Sequence, residues 1–176
     1  GTVPTPRRIV AGPDGTVWTL AMTHRWLHQQ WDLEGNLITS LVIPPRWYTP
    51  HDQLLGPGPD RPPQSAVQDG WTDTAGRLWI VGKVSDPGWR DGMTAAADGN
   101  PAVSDPDKLY DTVVDVFDPP TGTLLGEARF DGAYPFTAEP GVLMRVKTTA
   151  AGWHRAELAR LLVDTTRLGK PEATTP

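Results

Sequence analysis

The chain has 176 residues, 21 acidic against 16 basic side chains, a formal net charge of -5 and no cysteine. That length suits one domain with a real core. The missing cysteine excludes disulfides, thiolate metal centres and a thiol nucleophile. The acidic balance argues against duplex nucleic acid, and no apolar run reaches the ~18 residues that span a bilayer.

Taken in chain order, the first predicted elements are four strands: Arg7 to Ala11, Thr16 to Met22, Arg25 to Trp31 and Asn36 to Ile43. Gly-Pro-Asp-Gly, Thr-His and Asp-Leu-Glu-Gly supply hairpin turns between them. Residues 44–63 follow as a proline-rich linker. A second unit has strands Ala66 to Thr72, Arg77 to Val84, Thr112 to Phe117 and Thr123 to Phe130, with residues 85–111 as an insertion between its second and third strands. A third unit has Gly132 to Thr137, Val142 to Thr148 and a segment from His154 to Val163. Leu158, Leu161 and Leu162 have helical spacing, so strand and short helix both stay open there. Residues 168–176 read as a disordered tail.

The units repeat. Asp14-Gly15-Thr16-Val17-Trp18 lines up with Ala75-Gly76-Arg77-Leu78-Trp79, and Trp31-Asp32-Leu33-Glu34-Gly35 with Phe117-Asp118 and the turn ending at Gly122. A weaker third copy begins at Glu139-Pro140-Gly141-Val142-Leu143-Met144-Arg145-Val146. Gly15, Trp18, Trp31, Asp32, Gly35, Gly76, Trp79, Phe117, Asp118 and Gly122 are therefore read as structural repeat positions. Consecutive antiparallel strands in repeated units are the meander of a propeller.

These motifs resemble the six-bladed β-propeller family of the NHL and TolB-like kind. Tyr110-Asp111-Thr112-Val113-Val114-Asp115-Val116-Phe117-Asp118 is similar to a strand pattern of exported bacterial propellers of unknown function. The resemblance implies an all-β partial propeller over residues 1–167, with blades at about 5–43, 64–131 and 132–164. It departs from the family in number: closed rings take roughly four to eight blades. Three blades leave faces and strand edges open, which natural proteins cover. Gly1 in place of an initiator methionine is read as processing or truncation.

No constellation of catalytic residues stands out. His24 and His28 give two ligands where zinc needs three or four. A polar strand face beside Trp26 is the plainer reading. Asp86, Asp91, Asp98, Asp105, Asp107 and Asp111 enrich the insertion in oxygen ligands, but no calcium-loop pattern is present and Asp98-Gly99-Asn100 reads as a turn. His51-Asp52, with Ser40 and Ser65 near in sequence, has no nucleophile elbow around it. Neither a cofactor nor a metal is expected.

Aromatic and arginine side chains in loops have the composition of interface anchors. Trp47, Tyr48, Trp89 and Arg90 are accordingly the expected partner contacts, with folding back to cap the blades as the competing account. The expected function is a non-enzymatic interaction module, an extrinsic accessory subunit of a larger complex such as a membrane-bound electron-transfer or photosynthetic one. Its partner is expected to be a protein covering the open blade faces, a foreign chain in preference to a second copy. Resemblance to exported propellers places it in the periplasm, peripheral to a membrane and away from nucleic acid. Two alternatives stand beside it: half of a hydrolase- or lactonase-like propeller enzyme with a channel site, and a fragment of a sensor ectodomain.

Overall fold

The computed structural model describes residues 6–23, 25–51, 53, 55–95, 101–149 and 151–161. The chain is all-β and forms successive antiparallel meander sheets, an arrangement consistent with a partial propeller. Sheet 1 runs β1 (Arg7–Ala11), β2 (Val17–Ala21), β3 (His28–Trp31), β4 (Leu37–Leu41) in spatial as in chain order. Sheet 2 takes β5 (Ala66–Thr72), β6 (Leu78–Ser85), β9 (Tyr110–Asp118) and β10 (Thr123–Phe130). The small hairpin of β7 (Met93–Ala95) and β8 (Pro101–Val103) is the insertion, and it leaves the order of sheet 2 undisturbed. Sheet 3 has three strands: β11 (Phe136–Glu139), β12 (Val142–Thr148) and β13 (His154–Arg160).

Three turn glycines enforce the repeat. Gly15, Gly76 and Gly141 precede β2, β6 and β12 with φ of 77°, 77° and 81°, a region in which a Cβ is strained. The aspartates of the repeat close turns. Asp32 accepts the Asn36 amide at 2.7 Å, and Asp118 accepts the Thr121 hydroxyl at 2.6 Å while its carbonyl takes the Gly122 amide.

Local chemistry explains the departures from the predicted elements. The segment from His154 is a strand, because β12 offers it an edge of seven paired residues that outweighs the helical spacing of its leucines. Residues 132–135 are loop where a strand is predicted. Gly132 is left-handed at φ 81° and Pro135 has no N–H to give a ladder. The strand predicted from Arg25 starts only at His28, after the Arg25 amide turns back onto the Thr23 carbonyl. His24, Asp52, Asp98, Asn100 and the predicted tail lie outside the described residues.

Strand alternation gives each sheet two faces, here called front and back. Leu78, Ile80 and Phe117 on the front of sheet 2 pack with Trp18, Leu20 and Leu41 on the back of sheet 1. Trp71, Trp79, Val81, Val114 and Val116 on the back of sheet 2 pack with Leu143 on the front of sheet 3. Sheet 2 is therefore covered on both faces. The first strands meet: the Arg8 guanidinium in β1 pairs with Asp69 in β5 at 3.1 Å, and the Thr72 hydroxyl in β5 donates to the Ala11 carbonyl in β1.

Candidate functional site

The aromatic residues expected to meet a partner are used inside the chain. Trp47 donates its indole N–H to Asp115 Oδ2 at 2.8 Å. Its ring lies over Gly82, where a Cβ would come within 2.3 Å of it. Tyr48 is 5% exposed, with its ring 5.1 Å from that of Trp26. Trp89 is 4% exposed, and the exposed Arg90 lays its guanidinium over the indole at 4.6 Å. Of the four, only Arg90 is exposed. The linker and the insertion thus close over the sheets, the capping account of these residues. Proline drives this for the linker, whose stiff backbone carries Trp47 back onto the front of sheet 2.

Trp89, Arg90, Met93 and Pro101 line an open cleft of about 260 Å³ that Pro59 of the linker completes. Larger, at about 410 Å³, is a cleft between sheets 2 and 3 floored by Trp71 and Trp79. Those rings stack at 5.4 Å, and the Trp79 N–H is held by Asp73 at 2.9 Å. Arg77 and two backbone amides also engage Asp73, so no free polar group faces a ligand from that carboxylate.

Two buried ionisable groups lie under Trp26 and Trp47, where the sequence pattern signals only strand. His28 is fully buried, edge-on to Trp26 at 4.2 Å, and burial aided by the Arg7 charge lowers its pKa to about 3. Asp115 is also fully buried. Burial pushes it up to about 7, the Trp47 N–H pulls the other way and the Glu127 charge adds to the rise. At neutral pH His28 is therefore neutral, while Asp115 is poised between its protonated and ionised forms. Both ring nitrogens of His28 and Oδ1 of Asp115 are buried without a hydrogen-bond partner among the described residues.

At the insertion end of sheet 2, Asp86, Asp111 and Asp131 bring one carboxylate oxygen each within 4.8 Å of one another. Three oxygens at that spacing could share a cation. Asp111 is already engaged by the Arg129 guanidinium at 2.6 Å, and Asp86 accepts the Gly88 amide at 2.5 Å. A guanidinium already supplies the cluster with positive charge.

The remaining candidate is larger than any pocket. The back of sheet 3 carries the cross-strand row Phe136, Met144, Leu158 and beside it Val146 opposite Ala156. Phe136, Val146 and Leu158 are 48, 51 and 65% exposed. The front of sheet 1 carries the row Ala11, Val17, Trp31, Leu37, with Ile9 in the next row. Ile9 is 70% and Leu37 49% exposed. Alternation of β12 was the signal for the first of these. The undecided state of the segment from His154 hid the row it completes.

Comparison with known proteins found no matching family model, no matching curated protein and no matching solved structure.

Proposed function

We propose that the chain is a non-enzymatic protein-interaction module, an accessory subunit of a larger assembly whose contact surfaces are its two open sheet faces. The observation that carries this reading is the row Phe136, Met144, Leu158 lying open on the back of sheet 3. Contiguous apolar surface of this kind marks an interface in a natural chain. The inward use of Trp47, Tyr48 and Trp89 supports the same surfaces by default, since the linker and the insertion keep little aromatic area for a partner. A periplasmic location and a membrane-associated assembly rest on the resemblance to exported propellers. No helix among the described residues is long and apolar enough to cross a membrane. The channel-enzyme reading gains no support. Its metal would sit among the first strands β1, β5 and β11, whereas the acidic cluster lies where β6 ends and β9 and β10 begin and end.

The test is the behaviour of the purified chain with rising concentration, alone and with Phe136→Glu and Leu158→Glu combined. The wild-type chain is expected to associate, as defined oligomers or as aggregates, and the double variant to stay a single soluble copy with the same circular dichroism. A wild-type chain that remains single and soluble at high concentration would overturn the proposal.

A further inference from the structure

The two open faces are not alike, and the two junctions already inside the chain say how they fit. At each internal junction the back of one sheet packs on the front of the next. The register makes the positions comparable: Val17, Leu78 and Leu143 each stand two residues after a left-handed turn glycine, and Trp18, Trp79 and Met144 stand one residue later. Leu78 is fully buried and Leu143 is 1% exposed, because each front position is covered by the sheet before it. Val17 is the same front position in sheet 1, with no sheet over it among the described residues, and it is only half-buried. Trp18 and Trp79 are back positions covered by the sheet after them, at 0 and 7% exposure. Met144 is the matching back position in sheet 3 and is left partly open.

The correspondence extends along whole rows. On the front of sheet 1, Ala11, Val17, Trp31 and Leu37 match Thr72, Leu78, Phe117 and Leu124 on the front of sheet 2. On the back of sheet 3, Phe136, Met144 and Leu158 match Val10, Trp18 and Gln30 on the back of sheet 1. The uncovered front is thus a copy of one that a back face already covers, and the uncovered back is a copy of one that covers it.

We infer that the occupant of both faces is a second copy of this chain. The back of sheet 3 of one copy packs on the front of sheet 1 of the other, and the twofold axis makes the two contacts equivalent. Three sheets from each copy give a ring of six, within the roughly four to eight that closed propellers use. Charge is compatible with the geometry. Arg160 stands opposite Val142, at the end of sheet 3 that carries the Gly141 turn, well exposed and paired at 3.6 Å with the exposed Glu139. The matching end of sheet 1 carries the exposed Asp14 and Glu34. This inference rests on the interaction reading above and replaces the foreign partner favoured by sequence with a copy of the chain itself.

The absence of cysteine makes a clean test possible. Light scattering should give about twice the 19.2 kDa of one copy, and Leu158→Glu should halve that mass with the circular dichroism unchanged. In the double variant Val17→Cys, Met144→Cys, copper–phenanthroline oxidation should yield a covalent species of two chains, which neither single variant forms. A dimer that cross-links through Met144→Cys alone, or one that survives Leu158→Glu, would overturn the arrangement. Association without a defined dimer would overturn the second copy and leave the interaction reading standing. A single, soluble wild-type chain would overturn both.

Discussion

Sheet 2 and sheet 1 have the same strand order and the same turn chemistry, yet Leu78 is fully buried and its counterpart Val17 is not. The difference owes nothing to local sequence preference, since both are aliphatic residues in a second strand. It comes from what lies over them. Leu78 has Trp18 and Leu20 of the preceding sheet, while the front of sheet 1 meets solvent together with its own polar contacts, Arg7 and Trp31 both donating to the Thr19 hydroxyl. In a stacked repeat, stability is a property of the junction more than of the sheet.

The sharpest way to break that comparison is to truncate both positions. Leu78→Ala should lower unfolding free energy by about 2–5 kcal/mol, the usual cost of a leucine removed from a close-packed core. Val17→Ala should cost less than about 0.5 kcal/mol in dilute solution, where surface substitutions fall. Chemical denaturation across a range of chain concentrations separates the two. If a second copy covers sheet 1, the Val17→Ala cost grows with concentration while the Leu78→Ala cost reflects the intramolecular junction at every concentration. Equal costs in dilute solution would mean that the front of sheet 1 is already covered within the chain.

A smaller effect is expected where the linker, in place of a whole sheet, does the covering. Gly82 carries no side chain because the Trp47 ring occupies that space, with a Cβ at 2.3 Å from its tip and 2.9 Å from two further ring atoms. Gly82→Ala should therefore lift the ring, break its hydrogen bond to Asp115 and cost about 1–3 kcal/mol, the range for overpacking a core. Tryptophan fluorescence should shift to the red as Trp47 becomes wetter. An unshifted spectrum with unchanged stability would show that the linker yields freely and is no real cover for sheet 2.

Much of this architecture was legible in the residues. Turn glycines and alternating aliphatics place β1, β5, β10 and β12 at their predicted limits, because a hairpin turn and a half-buried strand are local matters. What decides an interface is not local. Trp47, Tyr48 and Trp89 have the composition of exposed anchors, and only the path of the linker and insertion turns them inward. The row of Phe136, Met144 and Leu158 draws one residue from each of three strands, so it exists only once the register of sheet 3 is known. Asp115 likewise acquires its unusual character from burial under Trp47, distant in sequence.

The last prediction concerns Asp115 and His28, and the net effect is small because their separate effects oppose. Asp115 is raised from 3.8 to about 7, so the folded chain holds a proton there that the unfolded chain has lost. Its stabilising contribution is complete below pH 3.8 and is lost as pH rises through about 7. His28 is lowered from 6.5 to about 3, so over that interval the unfolded chain binds the proton and the folded chain does not. Its contribution is present above pH 6.5 and is lost as pH falls towards 3. Between about pH 4 and 6.5 each slope approaches 1.4 kcal/mol per pH unit in magnitude and the signs are opposite. The wild-type chain should accordingly show nearly flat stability across this window as far as this pair governs it. Asp115→Asn keeps an acceptor for the Trp47 N–H and removes one slope, so its stability should climb with pH. His28→Gln removes the other, so its stability should fall with pH. Denaturation midpoints measured at half-unit steps would show the two variants diverging in opposite directions. Parallel profiles would mean that these groups titrate in the open, and that the junction between sheets 1 and 2 is as wet as the two faces left uncovered.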